Sequence, residues 1–110
     1  MQVSITSVQG VTLIELAGSL DGKTAPDVQR QVLPGAEGQN KVILDLTKTD
    51  YVSSAGLRML LLLYRQLKAK GGKMALVGMS EEIKDVMANT GLIKFFLVAD
   101  TVDAGMALLE

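Results

Sequence analysis

Two adjacent serines lie where the chain could hold a phosphate group. Ser53 and Ser54 follow an apolar run at residues 42–46 and begin a strongly apolar segment that predicts a helix over residues 54–69. A helix start presents free backbone N–H groups and the positive end of the helix dipole, and both favour negative charge. Serine is also a preferred capping residue, so capping alone explains one hydroxyl. Since a cap needs only one, the second hydroxyl favours a functional site rather than a simple cap.

Two small residues follow the serines, and they also favour a functional interpretation. Glycine in a helix interior is unfavourable by about 1 kcal/mol relative to alanine, yet Gly56 lies within the first turn of this helix, beside Ala55. We interpret the pair as space in which another protein approaches the backbone. The position also fits, because α/β proteins place their sites at the carboxyl ends of parallel strands.

The sequence lacks residue types on which common catalytic and metal sites depend. Cysteine and histidine are both absent, which excludes disulfides, thiolate nucleophiles, a Ser-His-Asp triad and imidazole zinc ligands. The Lys-Gly-Gly-Lys run at residues 70–73 precedes methionine, not the serine or threonine of a P-loop. Asp21, Asp45 and Asp50 can in principle gather around Mg²⁺, although nothing in their spacing requires it. We expect no metal, no cofactor and no catalytic residue.

Length, charge and hydropathy describe one domain spanning residues 1–110. The net charge is −1, and the four aromatic residues do not alternate with basic ones, so nucleic-acid binding has no support. The first ten residues lack the basic and apolar regions of a secretory signal. The longest apolar run, residues 59–64, is far shorter than the roughly 20 residues of a membrane span. We expect a soluble, cytoplasmic protein without a membrane partner.

The order of hydrophobic patterns predicts an α/β fold. We expect strands near residues 3–5, 11–17, 42–46, 74–77 and 95–98, with a tight turn at residues 9–10. Thr24, Ser80 and Asp100 are the expected caps of further helices, and Pro34 with Gly35 is the expected end of the first. A hairpin followed by alternating helices and strands implies a mixed sheet of four to five strands with about four helices.

The second predicted helix has apolar residues on two sides. Its broad core face consists of Leu57, Leu60, Leu61, Leu63, Tyr64 and Leu67. Met59 and Leu62 fall on the opposite side, together with Arg58 and other polar residues. One interpretation is a helix covered on both sides within the domain. The alternative is a partner-binding strip beside the serines, in which Met59 is an adaptable contact.

Several segments together resemble the STAS domain family, the bacterial anti-sigma factor antagonists, over nearly the whole chain. They are the opening hairpin, the loop at residues 18–21 with Thr24 and Ala25, the block at residues 45–57, the strand at residues 73–78 and the turn at residues 90–92. The central block, from Asp45 to Ser54-x-Gly56-Leu57, is the most specific of these. The resemblance implies a STAS-like α/β domain with no enzymatic activity.

The resemblance also implies a phosphorylation site and partners. In that family, the serine two residues before the helix glycine is phosphorylated by the partner, an anti-sigma factor serine kinase, and a phosphatase reverses the modification. The matching acceptor is Ser54. Many members have aspartate immediately before it, where this chain has Ser53, which becomes the second-choice acceptor. The surface expected to bind the partner comprises Asp21, Gly22, Lys23, Ser53, Ala55, Gly56, Arg58, Met59 and Leu62.

Two other functions remain open at this point. Some STAS domains are scaffolds or accessory subunits of transporter ATPases, in which phosphorylation plays no part. A weak nucleotide-binding or hydrolysing activity that uses Asp21 and Asp45 is a further alternative, and the lack of a P-loop counts against it. The main expectation is an anti-sigma factor antagonist that binds the kinase when Ser54 is unmodified and thereby releases a sigma factor or other target.

Overall fold

The computed structural model describes every residue from Met1 to Glu110 and contains five strands and four helices. The strands are β1 (Gln2–Val8), β2 (Val11–Leu20), β3 (Lys41–Val52), β4 (Lys73–Val77) and β5 (Leu97–Ala99). The helices are α1 (Ala25–Ala36), α2 (Ser54–Lys68), α3 (Glu81–Asn89) and α4 (Val102–Leu108), and a 3₁₀ turn (Leu92–Phe95) precedes β5. No helix combines the length and the hydropathy that crossing a bilayer requires.

One mixed sheet holds all five strands in the order in which they occur along the chain. β1 pairs antiparallel with β2, and every later pair is parallel. Gln9 and Gly10 connect the hairpin with φ values of 51° and 80°, which are the positive angles of a mirror-image two-residue turn. Helices connect the parallel strands, as such crossovers require. The predicted α/β fold with a mixed sheet is therefore confirmed.

The sheet is covered on both faces, but unequally. Helices α1, α2 and α3 contribute to a core of 22 buried residues, whereas α4 covers a second core of five. β3 supplies both cores, because Val42 and Leu44 point into the larger one and Ile43 into the smaller. This arrangement explains why the strand has an uninterrupted apolar run.

Helix caps agree with the sequence predictions at one helix and differ at another. Ser80 Oγ accepts a hydrogen bond from the backbone N–H three residues later at 3.2 Å, so its predicted capping role is confirmed. The prediction for α4 is wrong by one residue, because Thr101 Oγ1 accepts from the N–H of Ala104 at 3.1 Å. Asp100 instead lies 3.5 Å from Lys84 Nζ in an ion pair.

The first helix differs from its prediction at both ends. Thr24 occupies the capping position, but its Oγ1 donates to the Ser19 carbonyl at 2.7 Å and forms no capping bond. α1 also continues through Pro34 to Ala36. Proline in the last turn removes only one helical hydrogen bond, and the complete burial of Val32 and Ala36 holds this turn against the core.

Several strands have limits that differ from the predictions: β1 and β2 are longer than predicted, and β3 and β5 differ for reasons that can be stated. β3 extends six residues beyond 46, through polar positions that pair with the end of β2, including Lys48 with Ala17 and Tyr51 with Ser19. Main-chain pairing does not require apolar side chains, so the hydrophobic pattern does not indicate this extension. β5 begins two residues later than predicted, because Phe95 belongs to the 3₁₀ turn.

Candidate functional site

The serine pair and the loop that contains Asp21 meet at one edge of the sheet. β2 and β3 run parallel and end side by side, with Leu20 opposite Val52. The backbone N–H of Ser53 donates to the Leu20 carbonyl at 2.9 Å, which joins the two strand ends. The strand ends therefore bring two loops together that are about thirty residues apart in sequence.

Ser53 serves as the cap of α2. Its backbone is extended, with φ −87° and ψ 178°, and its Oγ accepts a hydrogen bond from the N–H of Gly56 at 3.3 Å. Its carbonyl also accepts the first helical bond of α2, from Leu57 N at 2.9 Å. Both the side chain and the backbone of Ser53 thus stabilise the helix start.

Ser54 is the first residue of α2 and is exposed. Its hydroxyl takes part in none of the side-chain hydrogen bonds of the molecule, whereas the hydroxyl of its neighbour Ser53 does. A helix places the side chain of its first residue outward, beyond the capping bond, with the free N–H groups of the first turn nearby. The Ser54 hydroxyl is therefore accessible to a group-transfer reagent without any change in the fold.

Asp21 organises the neighbouring loop through its own side chain. Its Oδ1 accepts from the backbone N–H of Lys23 at 2.9 Å and of Thr24 at 3.1 Å. The hydrogen bond from Thr24, followed by that from Lys23, holds the pKa of Asp21 below its ordinary value. This geometry is that of an aspartate that closes a turn, the simpler of the two roles open from the sequence. It also leaves Gly22 and Lys23 exposed at the tip of the loop.

Gly56 has a packing reason to be glycine. A Cβ atom there would lie 2.7 Å from the carbonyl oxygen of Leu20 and 2.9 Å from its Cγ. Gly56 is itself buried, so its small size lets α2 approach β2 within the domain. The interpretation that Gly56 leaves space for another protein is therefore wrong, since that space is filled by Leu20.

An open groove lies between the N-terminal halves of α1 and α2. Gly22, Ala25, Pro26, Ala55, Arg58 and Leu62 form most of its walls, and we call it the α1–α2 groove. Five of its lining residues belong to the surface predicted to bind a partner: Gly22 and, on α2, Ala55, Arg58, Met59 and Leu62. Ala25 and Pro26 are absent from that prediction. Because they directly follow the Asp21 loop in sequence, they could have been predicted to lie on the same surface.

The two apolar residues predicted on the outer side of α2 differ in exposure. Met59 is only 1% exposed and belongs to the larger core, so the interpretation of a helix covered on both sides holds at this residue, and its expected role as a partner contact is wrong. α1 packs beside α2 and covers that side, and Gln66 Nε2 donates to the α1 carbonyl of Leu33 at 2.8 Å. Leu62 remains 40% exposed at the groove. Met59 reaches the groove only at its floor.

No group of three or more Asp or Glu side chains converges as a metal site would require. Asp21 and Arg58 are charged residues near the serines. The carboxylate of Asp21 accepts hydrogen bonds within its own turn, whereas Arg58 is exposed and has no ion-pair partner in the structure. The arrangement therefore offers an accessible hydroxyl, a helix start and a free guanidinium. An exposed hydroxyl beside the free N–H groups of a helix start is chemically able to carry a phosphate group.

Comparisons with known proteins agree with this fold. The model of the STAS domain family matches residues 2–105. BtrV, a candidate anti-sigma factor antagonist of Bordetella bronchiseptica, is 29% identical over 111 residues, covering 100% of this chain and 96% of that protein. The anti-sigma F factor antagonist of Paenibacillus polymyxa is 25% identical over 112 residues, covering 100% of this chain and 96% of that one.

Solved structures share the architecture at lower identity. A candidate anti-sigma factor antagonist from Thermotoga maritima superposes with a TM-score of 0.92 at 22% identity, over 97% of this chain and 93% of that one. The phosphorylated form of the Bacillus cell fate determinant SpoIIAA gives 0.75 at 18% identity, over 99% and 100%. A sulfate transporter family protein from Wolinella succinogenes gives 0.80 at 21%, over 94% and 88%.

Proposed function

The chain belongs to the STAS domain family, and from this premise we propose that it is an anti-sigma factor antagonist controlled by phosphorylation of Ser54. The unmodified form binds an anti-sigma factor serine kinase in the cytoplasm, and the kinase then releases its sigma factor or other target. Phosphorylation by the bound kinase ends the interaction, and a serine phosphatase restores it. The chain is a substrate and a binding protein in this cycle, not an enzyme.

The observation that carries the proposal is the difference between the two serine hydroxyls. Ser53 Oγ is engaged in the cap of α2, whereas Ser54 Oγ is exposed and makes no hydrogen bond within the protein. In the proposed reaction, Ser54 Oγ attacks the γ-phosphorus of ATP, an O–P bond forms, and the bond from that phosphorus to ADP breaks. The hydroxyl proton passes to a base of the kinase, since none of the neighbouring side chains is placed to take it.

The charge of the product supplies the switch. A phosphoserine adds about −1.5 to −2 charges at pH 7. At the start of α2 the fold tolerates this charge, because the helix dipole favours an anion by roughly 0.3–1 kcal/mol. In a docked interface the same charge loses its water, which is strongly unfavourable unless a cation meets it. A change from almost fully bound to almost fully free requires about 5.5 kcal/mol of differential binding.

The test is intact-mass analysis after incubation with ATP and the anti-sigma factor kinases of the native host. We expect wild type and Ser53→Ala to gain one phosphate and Ser54→Ala to gain none. Ser53→Ala is the matched control, because it removes the neighbouring hydroxyl and leaves the exposed one. Phosphorylation of Ser54→Ala together with an unmodified Ser53→Ala would assign the reaction to Ser53 instead.

A second candidate function is that of an accessory subunit of a transporter ATPase. A sulfate transporter family protein shares the fold, so the architecture is compatible with a role in a transporter. The two functions predict different partners, a serine kinase or a transport ATPase. Affinity purification of the chain from its native host, with Ser54→Ala and Ser54→Glu forms beside wild type, separates them. Retention of a transport ATPase by all three forms would favour the second function.

A further inference from the structure

The α1–α2 groove is a depression next to Ser54 with both apolar and basic lining, and no residue of this chain fills it. Ala25 is buried in its wall, Met59 forms part of its floor, and Leu62 stands 40% exposed at its rim. Ala55, the residue after Ser54, lies in the same wall. A small apolar side chain from another molecule could therefore contact Leu62 and Ala55, and Ala55 is the residue directly after the proposed phosphorylation site.

The charged residues of the groove are all of one sign. Arg30 and Arg58 line it, and no aspartate or glutamate does. Arg30 Nη2 lies 3.3 Å from Asp27 Oδ1, so its charge is already paired. Arg58 has no such partner and is exposed. A guanidinium forms its best contacts with carboxylates, in a forked geometry with two parallel hydrogen bonds.

We propose that the α1–α2 groove binds an acidic segment of the partner protein, in which an apolar side chain enters beside Leu62 and a carboxylate pairs with Arg58. This inference rests on the proposed function, because the partner is the kinase that function invokes. The new element is the chemical character of the segment that binds, acidic with one apolar side chain, which neither the fold nor the position of Ser54 specifies.

The same geometry gives the phosphate a direct route to the groove. Ser54 and Arg58 are four residues apart on one helix, and side chains at this spacing are neighbours on a helix surface. A phosphoserine at 54 therefore competes with the partner's carboxylate for Arg58. It also places negative charge next to Ala55, where an acidic segment would be repelled. Both effects weaken the same contact, so the switch acts without movement of the backbone.

Charge reversal at Arg58 tests the proposal. The dissociation constant for the kinase that binds the unmodified wild type is measured for wild type, Arg58→Glu, Leu62→Asp and Arg65→Glu, at low and high salt. Arg65→Glu is the matched control, since Arg65 is exposed on α2 and does not line the groove. We expect Arg58→Glu and Leu62→Asp to weaken binding roughly tenfold or more, and Arg65→Glu to change it less than about threefold.

Three further results decide the matter. Wild-type binding should weaken with salt, Arg58→Glu should lose most of that dependence, and one acidic-to-lysine change on the kinase should restore binding to Arg58→Glu. Equal binding by Arg58→Glu and Arg65→Glu, in folded variants by circular dichroism, would overturn the inference and leave the proposed function standing. Failure of every host kinase to bind the wild type would overturn both.

Discussion

Ser53 and Ser54 have the same side chain and different environments because a helix begins between them. Ser53 is extended and turns its hydroxyl back to the N–H of Gly56, and Ser54 is helical and turns its hydroxyl to solvent. The sequence predicts that one serine of the pair caps the helix and that the other hydroxyl is free. Spacing alone does not show which serine has which role. The position of the first helical residue decides it, and helix limits are uncertain by one or two residues.

Substitution of each serine by alanine should separate the two roles in stability. Ser53→Ala removes the capping acceptor, and we expect it to lower the free energy of unfolding by about 0.5–2 kcal/mol. Ser54→Ala removes an exposed hydroxyl without a partner, and we expect a change within about 0.5 kcal/mol. Urea unfolding followed by circular dichroism measures both. If Ser54→Ala lowered the free energy of unfolding as much as Ser53→Ala, the assignment of Ser53 as the cap of α2 would be wrong.

Asp21 makes the free energy of unfolding depend on pH, and the direction of this dependence can be predicted. The N–H of Thr24 and then that of Lys23 hold its pKa below the ordinary value of 3.8. A carboxylate whose pKa is depressed by folding contributes stability above the unfolded value, and that contribution is lost as the pH falls through the folded value. We therefore expect wild type to lose stability below about pH 3.8 in part through Asp21.

The matched variant for this prediction is Asp21→Asn, which retains a side-chain oxygen for the turn and has no charge to titrate. Unfolding free energies measured from pH 5 down to pH 2 should fall less steeply for Asp21→Asn than for wild type. Parallel curves over that range would mean that the Asp21 hydrogen bonds do not couple to folding.

Packing between helices decides which residues of α2 are accessible. The hydrophobic pattern of α2 shows two apolar sides but does not show that α1 lies along one of them, because that contact joins residues distant in sequence. Met59 is consequently core, and only Leu62 remains at the groove. The same reason applies to Gly56, whose neighbour Leu20 comes from another element.

Alanine substitutions on α2 test this orientation. Met59→Ala should lower the free energy of unfolding by about 2–5 kcal/mol, since it empties a buried volume. Leu62→Ala should lower it by about 1 kcal/mol or less, because the side chain is already 40% exposed. Chemical denaturation of the two variants provides the comparison. Equal losses would place Leu62 in the core and remove the rim of the α1–α2 groove.

At the scale of the whole molecule, the strand and helix order follows directly from the sequence. Alternating patterns identify the hairpin, and the doubly covered run at residues 42–46 identifies a central strand. The later half of β3 is not predictable in this way, because residues 47–50 are polar and the segment pairs through its backbone with the end of β2. That extension is what brings the Ser53 and Asp21 loops together, so the site depends on pairing that the residue types do not encode.

The proposed phosphorylation site is separate from the buried contacts that hold the fold together. Ser54 lies outside both cores, at the surface of the junction between β2, β3 and α2. A phosphate there changes the charge of the surface and disturbs no buried contact. If the proposed function holds, phosphorylation therefore changes binding and leaves the architecture intact.

The most direct measurement is the affinity of the kinase for the unmodified chain and for the chain carrying phosphoserine at position 54, with the kinase held in one nucleotide state. We predict that phosphorylation weakens binding by at least about 100-fold, or ~2.7 kcal/mol, while circular dichroism remains unchanged. Equal affinities for the two forms, both fully folded, would contradict the account.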